Sequence, residues 1–279
     1  MTVLQPMTTG ELLDRTFFLY RKHFLLFLGI AAIPNLFAFA FGIGRVLMLN
    51  DVGANAPGRV AFSVFWSAMG AVVYLLAITA AQAGTIVAVS NVHLDRPASI
   101  SNSFGTVGTR VFRLMFIMIG LLIAVGIAFM LLIVPGVIAS LAWSLVIPVA
   151  VLEGKGLRDA AARSAALTKG DRARIFVIYF LFSLLVYLFI VVLAVPAIAA
   201  LSIFSRGNPA MVAKAAPAFL VVNETVSYLA QCLATPLLSI ALALVYYDER
   251  VRKEAFDLQM LMSSVQTAAA TGPATATSV

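Results

Sequence analysis

Long apolar runs alternate with short charged segments along this chain from Phe24 to Tyr247. A membrane-spanning helix needs about 20 mostly apolar residues. Six runs qualify: Phe24–Gly44, Phe62–Val89, Leu114–Val134, Gly136–Leu152, Ile175–Phe204 and Thr225–Tyr247. None of these runs alternates apolar and polar residues as the strands of a membrane β-barrel do. The pattern therefore predicts an all-α membrane protein with six transmembrane helices.

The third and fourth runs form one uncharged stretch of 39 residues, Leu114–Leu152, interrupted by Pro135-Gly136. At about 1.5 Å per residue this stretch makes about 58 Å of helix, enough to cross a core about 30 Å thick twice. We predict a tight helical hairpin that turns at Pro135-Gly136. The alternative is one span followed by a re-entrant segment over residues 136–152.

The composition supports the assignment to a membrane. Apolar residues make up 62% of the chain and charged residues 11%, and the mean hydropathy is +1.02. Soluble domains average about half apolar and about 25% charged residues, so this chain lacks the charge to cover a surface in water. The net charge of +7 does not indicate a nucleic-acid partner, because the basic residues lie where anionic headgroups attract them.

The distribution of basic residues predicts the orientation. Fifteen of the 19 Lys and Arg residues lie before the first span, after the last span, or in the second and fourth connections. The other side holds Arg45, Arg59, Arg206 and Lys214. Because Lys and Arg are enriched in cytoplasmic segments, both termini are predicted to be cytoplasmic. No signal peptide precedes the first span, so we expect that span to be retained.

A short amphipathic segment precedes each pair of spans on the predicted cytoplasmic side. A capping box at Thr8–Glu11 would open a helix with a Glu11–Arg15 pair on its polar face. Its apolar face would be Leu13, Phe17, Tyr20 and Phe24. Comparable segments follow spans two and four. This order is typical of three repeats, each with a surface helix, a span, an external turn and a second span. Three unrelated hairpins of two spans each would give the same order.

Small residues and prolines within the spans indicate helix packing. Ser63, Ser67 and Ala71 recur at four-residue spacing, which lets helices approach closely. Proline is tolerated in membrane helices and kinks them. Four spans contain one each: Pro34, Pro148, Pro196 and Pro236.

No residue pattern typical of an enzyme, cofactor site or metal site occurs in the sequence. The two histidines, His23 and His93, lie at the predicted cytoplasmic interface, and the single Cys232 lies inside the sixth span. Phosphate-binding loops, dinucleotide fingerprints, nucleophile elbows and zinc-ligand spacings do not appear. We therefore expect no catalytic residues, no cofactor and no metal.

Gln82 and Glu224 are the candidate polar groups inside the membrane. A polar strip at helical spacing leads into the sixth span: Asn223, Glu224, Ser227 and Gln231. A deeply placed Glu224 would relay protons or bind a cation, whereas a span that begins at Thr225 would leave it in water at the outer surface. Gln82 is expected to bond to a neighbouring helix.

The densest basic segment follows the fourth span and contains the candidate lipid- or partner-binding residues Lys155, Arg158, Arg163, Lys169, Arg172 and Arg174. The acidic residues among them are Glu153, Asp159 and Asp171. Each basic residue near an anionic leaflet contributes about 1 kcal/mol of attraction. We predict that this face binds anionic lipid headgroups or a protein partner.

A charged motif, Tyr246–Leu258, follows the sixth span, with i,i+4 pairs expected between Glu249 and Lys253 and between Arg250 and Glu254. The motif resembles the Tyr-Tyr-Asp-x-Arg-x-Arg-x-Glu-x-Phe-Asp-Leu signature of a bacterial family named for the membrane domain of glycerophosphoryl diester phosphodiesterases. Two further matches to that family are Gly10–Arg15 with Tyr20-Arg21 and Phe24, and Glu153-Gly154 with Ala160, Ser164 and Leu167–Gly170.

The resemblance covers nearly the whole chain and implies a bacterial cytoplasmic (inner) membrane. In the full-length enzymes of this family catalysis belongs to a separate soluble barrel, which we do not expect here. We therefore predict a non-catalytic membrane domain over residues 1–258 with a disordered cytoplasmic tail over 259–279. The alternatives are a transporter or channel for a small solute that uses Gln82 and Glu224, and a membrane component linked to glycerophosphodiester metabolism.

The orientation is testable with topology reporters. Because most basic residues lie on one side, fusions after Lys169 and Lys253 should report a cytoplasmic position, and fusions near Arg59 and Gly207 an external one. A paired phosphatase and fluorescent-protein reporter at each site provides the measurement. A cytoplasmic signal at Arg59 would contradict the six-span arrangement.

Overall fold

The computed structural model describes residues 7–51, 58–94, 96–205 and 209–254, and over these residues it contains helices and no strand. Helices satisfy their own backbone hydrogen bonds, which hydrocarbon requires. The helices are α1 Thr9–Lys22, α2 Phe24–Asp51, α3 Arg59–His93, α4 Ile100–Gly108, α5 Val111–Leu131, α6 Ile133–Ala142, α7 Val146–Leu152, α8 Leu157–Thr168, α9 Arg172–Ser205 and α10 Pro209–Glu254. The predicted tail, residues 259–279, lies outside the described residues.

The prediction of six apolar spans is confirmed. Six segments are long and apolar enough to cross a membrane: Phe24–Met48, Arg59–His93, Val111–Leu131, Ile133–Leu152, Arg172–Ala200 and Pro217–Glu254. The predicted bounds were too short for α3 and α10, which have 35 and 46 residues. Apolar runs stop at the first charges, but Glu, Lys and Arg are good helix formers, so the helices continue beyond them.

The predicted hairpin forms, but its turn lies before the predicted position. α5 ends at Leu131 and α6 begins at Ile133, so the turn falls at Leu132 rather than at Pro135-Gly136. Pro135 is the third residue of α6. The first N–H groups of a helix have no acceptor within the helix, so proline is tolerated there and the turn does not need it.

Both ends of this hairpin lie at the same end of the bundle. The Arg113 guanidinium, at the start of α5, donates a hydrogen bond to the Gly154 carbonyl, just after α7. This contact favours two full crossings over a re-entrant segment at 136–152. We call this end of the bundle the motif end, because the residues of the charged motif after the sixth span also lie there.

The fourth span is broken between α6 and α7, and side chains from α8 satisfy the break. The Ser164 hydroxyl donates to the Ala142 carbonyl at 2.8 Å and accepts the Leu145 N–H at 3.1 Å. The Thr168 hydroxyl donates to the same Ala142 carbonyl at 3.2 Å. Unsatisfied backbone groups in hydrocarbon cost several kcal/mol each, so these two hydroxyls make the broken span possible.

The capping box of α1 is confirmed, and it displaces a predicted ion pair. The Glu11 carboxylate accepts hydrogen bonds from the backbone N–H and the hydroxyl of Thr8, at 2.7 and 2.9 Å. It therefore turns away from Arg15, with which it forms no ion pair in the described structure. The Arg15 guanidinium instead lies over the Phe18 ring.

The buried face of α1 is one position away from the predicted apolar face. Leu12, Thr16 and Leu19 are fully or almost fully buried, whereas Phe17 of the predicted face is 41% exposed. Apolar side chains on a membrane protein face lipid as readily as protein, so hydrophobicity alone does not identify the packed side. The buried Thr16 hydroxyl donates to the Leu12 carbonyl within the helix.

α1 runs along α9 and α10 rather than across their ends. Its start is held at Asp248, which accepts the Met7 N–H, and its last turn reaches Leu233, whose carbonyl accepts the Tyr20 hydroxyl at 3.1 Å. These two α10 residues are 15 positions apart, about 22 Å along a helix. The N-terminal helix is therefore inclined along the bundle.

The close approach of α5 and α6 can be tested at Gly136. A Cβ atom added there would lie 2.4 Å from the Phe129 ring, whereas one added at Gly126 of α5 meets nothing within 4 Å. We expect Gly136→Ala to destabilise the protein by about 1–3 kcal/mol through overpacking. Gly126→Ala should be neutral or slightly stabilising. Unfolding in mixed detergent micelles measures both, and equal stabilities of the two variants would contradict the packing.

Candidate functional site

The charged motif at the end of α10 places two carboxylates in the protein interior. Asp248 is 2% exposed and accepts the Met7 N–H at 2.7 Å, and its Oδ2 pairs with Arg174 at 2.5 Å and with Arg252 at 2.9 Å. Buried charges persist only when they are paired and hydrogen-bonded. Asp248 thus joins the start of the chain, the start of α9 and the end of α10.

The second buried carboxylate joins α10 to α8 through a lysine. Glu249 lies 3.1 Å from the Lys253 ammonium and 3.8 Å from Arg174, which confirms the predicted Glu249–Lys253 pair. Lys253 also donates hydrogen bonds to the carbonyls of Leu167 and Lys169. It therefore satisfies backbone acceptors where α8 ends.

Glu153, directly after α7, is the centre of a second set of ion pairs. Its carboxylate lies 2.8 Å from Lys155 and 3.3 Å from Arg163, and it accepts the Tyr246 hydroxyl at 2.9 Å. Burial acts to raise the pKa of this carboxyl. Hydrogen bonds from Lys155 and Tyr246, together with the Arg163 charge, nevertheless hold the pKa of Glu153 below its ordinary value.

Glu254, the last residue of α10, joins α10 to this second set of ion pairs. It pairs with Arg163 of α8 and with Arg250 one turn before it, at 3.2 Å, which confirms the predicted Arg250–Glu254 pair. Arg250 also donates to the Tyr246 hydroxyl at 3.1 Å. Together the two sets form the motif junction, whose members are Met7, Glu153, Lys155, Arg163, Arg174, Tyr246, Asp248, Glu249, Arg250, Arg252, Lys253 and Glu254.

Two glycines of the central segment are explained by backbone conformation. Gly154 and Gly170 have φ angles of 67° and 100°, in the region that favours glycine. Gly154 allows the turn from Glu153 towards α8. Gly170 allows the turn from Lys169, whose carbonyl accepts the Lys253 ammonium, towards α9.

Three segments distant in sequence therefore meet at the motif junction: the residues before α1, the connection around α8, and the end of α10. A family model described as the membrane domain of glycerophosphoryl diester phosphodiesterase matches residues 116–270, more than half of the chain. The chain belongs to this family. The match is to the membrane domain and not to a catalytic domain. No curated protein and no solved structure was found to match the chain.

The family match covers two of the three segments that suggested the resemblance. It includes the connection around α8 and the charged motif of α10, and it begins well after the N-terminal segment Gly10–Arg15. In the structure this N-terminal segment follows directly on Met7, which binds Asp248 of the family motif. Contact with the motif junction, rather than the family match, connects α1 to this architecture.

The structure divides the six predicted binding residues into two groups. Lys155, Arg163 and Arg174 are engaged within the motif junction. Arg158 and Lys169 are exposed, and Arg172 is half-buried. No ion pair joins any of these last three to a described residue. The predicted basic face is therefore smaller than the sequence suggested, because acidic residues distant in sequence neutralise part of it.

A polar cavity of about 300 Å³ lies between α2, α3 and α10, away from the motif junction. Glu224 and the Arg45 guanidinium pair across its lining at 3.3 Å. Along α10, Glu224 precedes Asp248 by 24 residues, about 36 Å of helix. This separation is comparable to the roughly 30 Å hydrocarbon thickness of a bilayer, so the cavity lies towards the end of the bundle opposite the motif junction.

The predicted polar strip of the sixth span lines this cavity in part. Glu224, Ser227 and Gln231 contribute from α10, and the small residues Ser67 and Ala71 contribute from α3. The small residues of α3 were interpreted as sites of close helix contact. Ser67 and Ala71 also border the cavity, and close contact of α3 with α2 is found beside them, where a Cβ added at Gly70 would lie 3.2 Å from Phe41.

Gln82 lies in a different place from Glu224. It lines a larger, mainly apolar cavity of about 710 Å³ between α3, α9, α10 and the α5–α6 hairpin. Its amide forms no hydrogen bond with a described residue, so the expected bond to a neighbouring helix is not found there. The two intramembrane polar groups that the sequence suggested thus do not form one site.

Sequence reasoning missed Arg45 and Asn35 as members of the polar cavity. Arg45 was interpreted only as a residue at the end of a span, and Asn35 follows Pro34 in the middle of an apolar run. Their spacing of ten residues, with Ala38 and Gly42 between them, places them on one face of α2, and this periodicity is the signal that could have identified them. Within the described residues, no group of three acidic, His or Cys side chains is placed to hold a metal ion.

The junction makes a prediction at Asp248. Replacing it by Asn would leave Arg174, which is 12% exposed, without its main counter-charge. We expect a loss of about 3 kcal/mol, at the lower end of the cost of breaking a buried ion pair, since Arg252 is partly in water. The exposed Asp159 forms no ion pair with a described residue, so Asp159→Asn should change stability by less than about 0.5 kcal/mol. Equal losses in detergent unfolding would contradict this role.

Proposed function

We propose that this chain is a non-catalytic integral membrane protein whose motif end binds anionic lipid headgroups on the cytoplasmic side of a bacterial inner membrane. The observation that carries the proposal is the exposed charge that remains once the motif junction has formed. The buried acids Asp248 and Glu249 and the half-buried Glu153 are neutralised internally. The outer surface of this end is therefore mainly basic.

Outside the motif junction, the described segments that flank the spans at the motif end expose six basic residues and three acidic ones. These basic residues are Arg15, Arg96, Arg110, Arg113, Arg158 and Lys169. The exposed acidic residues are Glu11, Asp14 and Asp159. Anionic lipid headgroups complement such a surface, and the attraction decays within a Debye length of about 8 Å at physiological salt.

The arrangement of the short helices supports a cytoplasmic face of amphipathic helices. α1, α4 and α8 each precede two membrane-spanning segments, and α8 is tied to α10 through Lys253 and Arg163. We include in the proposal that α4, α8 and the first turns of α1 form the lipid-facing cytoplasmic layer, and that helix plus hairpin is a threefold repeat. Both termini are then cytoplasmic.

A transporter of a small solute is the second candidate, and the polar cavity favours it. Towards the motif junction, however, apolar side chains of α2 and α10 pack together: Phe27, Ile30, Ile240 and Leu244 are fully buried in one cluster. A route through the protein would require these side chains to move. These contacts close the path from the polar cavity between α2 and α10, which favours a binding component over an open channel.

A role in glycerophosphodiester metabolism is the third candidate and rests on the description of the family. Its model describes the membrane domain of a glycerophosphoryl diester phosphodiesterase. A lipid-binding domain would hold an attached or associated soluble enzyme at the membrane surface. In this proposal the chain supplies the location, and the partner supplies the chemistry.

The test compares lipid binding by the full chain and its charge variants. Arg158→Gln with Lys169→Gln removes two exposed cations that are outside the motif junction. At about 1 kcal/mol each, their loss should weaken binding of phosphatidylglycerol by up to about thirtyfold, as measured by lipid titration with native mass spectrometry. Asp159→Asn, which removes a neighbouring negative charge, should strengthen binding or leave it unchanged.

Phosphatidylcholine provides the neutral-lipid control, and added salt should reduce only the binding of phosphatidylglycerol. Equal affinity of the double variant and the parent protein for phosphatidylglycerol would contradict the proposal. Selective loss of a co-purifying protein in the double variant, with lipid binding unchanged, would assign the basic surface to a protein partner instead.

A further inference from the structure

The polar cavity between α2, α3 and α10 contains charged and polar groups whose hydrogen-bonding capacity is largely unused. Arg45 and Glu224 touch through one atom pair, Nη2 and Oε1 at 3.3 Å, and neither forms another hydrogen bond or ion pair with a described residue. A guanidinium has five N–H donors and a carboxylate has about four acceptor sites. The pair therefore retains most of its donors and acceptors.

A buried acceptor at the inner part of the cavity is also without a partner. Asn35 is 3% exposed, and its amide nitrogen donates to the Ala31 carbonyl at 2.9 Å. Its Oδ1 atom has no hydrogen-bond donor among the described residues. Leaving a buried acceptor unsatisfied costs about 1–3 kcal/mol, so Asn35 adds a polar group to the inner end of the cavity at some cost to stability.

The rest of the lining combines polar groups with apolar side chains and is shaped by a glycine. Hydroxyl and amide groups come from Ser67, Tyr74, Ser227, Tyr228 and Gln231. The Glu224 carboxylate rests against Gly42 of α2, where an added Cβ would lie 2.8 Å from Oε2. At about 300 Å³ the cavity is at the lower end of the size range of small-molecule sites.

We propose that this cavity binds a small zwitterion that carries an anionic group and a primary ammonium group. The anionic group would accept from the unused Arg45 donors, and the ammonium would donate to the Glu224 carboxylate. A ligand with only one of these charges would face a like charge, which is unfavourable. The fixed opposite charges thus select for a ligand that carries both.

Two sources would supply this chemistry: the headgroup of phosphatidylethanolamine and a free zwitterion such as glycerophosphoethanolamine. Both carry a phosphodiester anion and a primary ammonium. The site lies away from the basic surface of the proposed lipid-binding function and does not depend on it. Loss of lipid binding at the basic surface should therefore leave binding of the zwitterion in the cavity unchanged, and the reverse should also hold.

The test titrates the purified full chain with four soluble probes and follows its thermal unfolding. Glycerophosphoethanolamine should stabilise the protein saturably, whereas glycerol 3-phosphate, ethanolamine and glycerol should do so at least about tenfold more weakly, as expected for loss of a hydrogen bond to a charged group. Glu224→Gln and Arg45→Gln should each weaken the zwitterion by about the same factor.

A pair of glycine variants separates site occupancy from folding. Gly42→Ala displaces the Glu224 carboxylate and should weaken binding, whereas Gly44→Ala, two residues further along α2 with nothing within 4 Å of its added Cβ, should bind normally. For each variant, the shift caused by the ligand is measured relative to the unfolding temperature of the same variant without ligand. Unchanged binding in Gly42→Ala and Glu224→Gln, or glycerol as effective as the zwitterion, would overturn the proposal.

A lipid experiment identifies the source. Nanodiscs that contain phosphatidylethanolamine should reduce the affinity for the soluble zwitterion if the headgroup occupies the cavity, and nanodiscs of phosphatidylglycerol should not. Unaltered affinity in both nanodiscs would assign the site to the free solute. If neither phosphatidylethanolamine nor the free zwitterion binds, the proposal is overturned. The effect of the Arg158 and Lys169 substitutions on phosphatidylglycerol binding would still stand.

Discussion

The architecture depends on placing the Asp248 carboxylate where water cannot reach it. A buried charge must be compensated, and this one is compensated by the start of the chain, the start of α9 and its own helix. Apolar contacts between membrane helices are weakly directional, since lipid is as apolar as a leucine side chain. The ionic contacts at the motif junction therefore supply the specificity that hydrophobic packing does not. They determine which helix ends meet.

The number of spans and the helical class could be predicted from the sequence because both follow from the solvent. Hydrocarbon demands long apolar helices, and apolar length is visible without a structure. The exact ends were less predictable. α10 continues for a full charged turn and more beyond its apolar stretch, and the hairpin turns at Leu132 although Pro135 is the more obvious turn residue.

The candidate sites were only partly predictable because charge partners are distant in sequence. The sequence predicts Arg163 and Arg174 as part of an open basic face, and nothing local to them indicates that Glu254 and Asp248 lie alongside. Arg45 and Glu224 are 179 positions apart and form one pair. Helical spacing correctly grouped Glu224, Ser227 and Gln231, since periodicity within one helix is a local property.

The hydroxyls of Ser164 and Thr168 impose an order on biosynthesis. The backbone groups at Ala142 and Leu145 belong to the fourth span, yet their partners are synthesised about twenty residues later, in α8. When that span first leaves the ribosome, its break has no protein partner, and water or the insertion machinery must solvate it. Full entry of the hairpin into lipid is thereby coupled to the arrival of α8, so that the third and fourth spans are completed together with the segment that follows them.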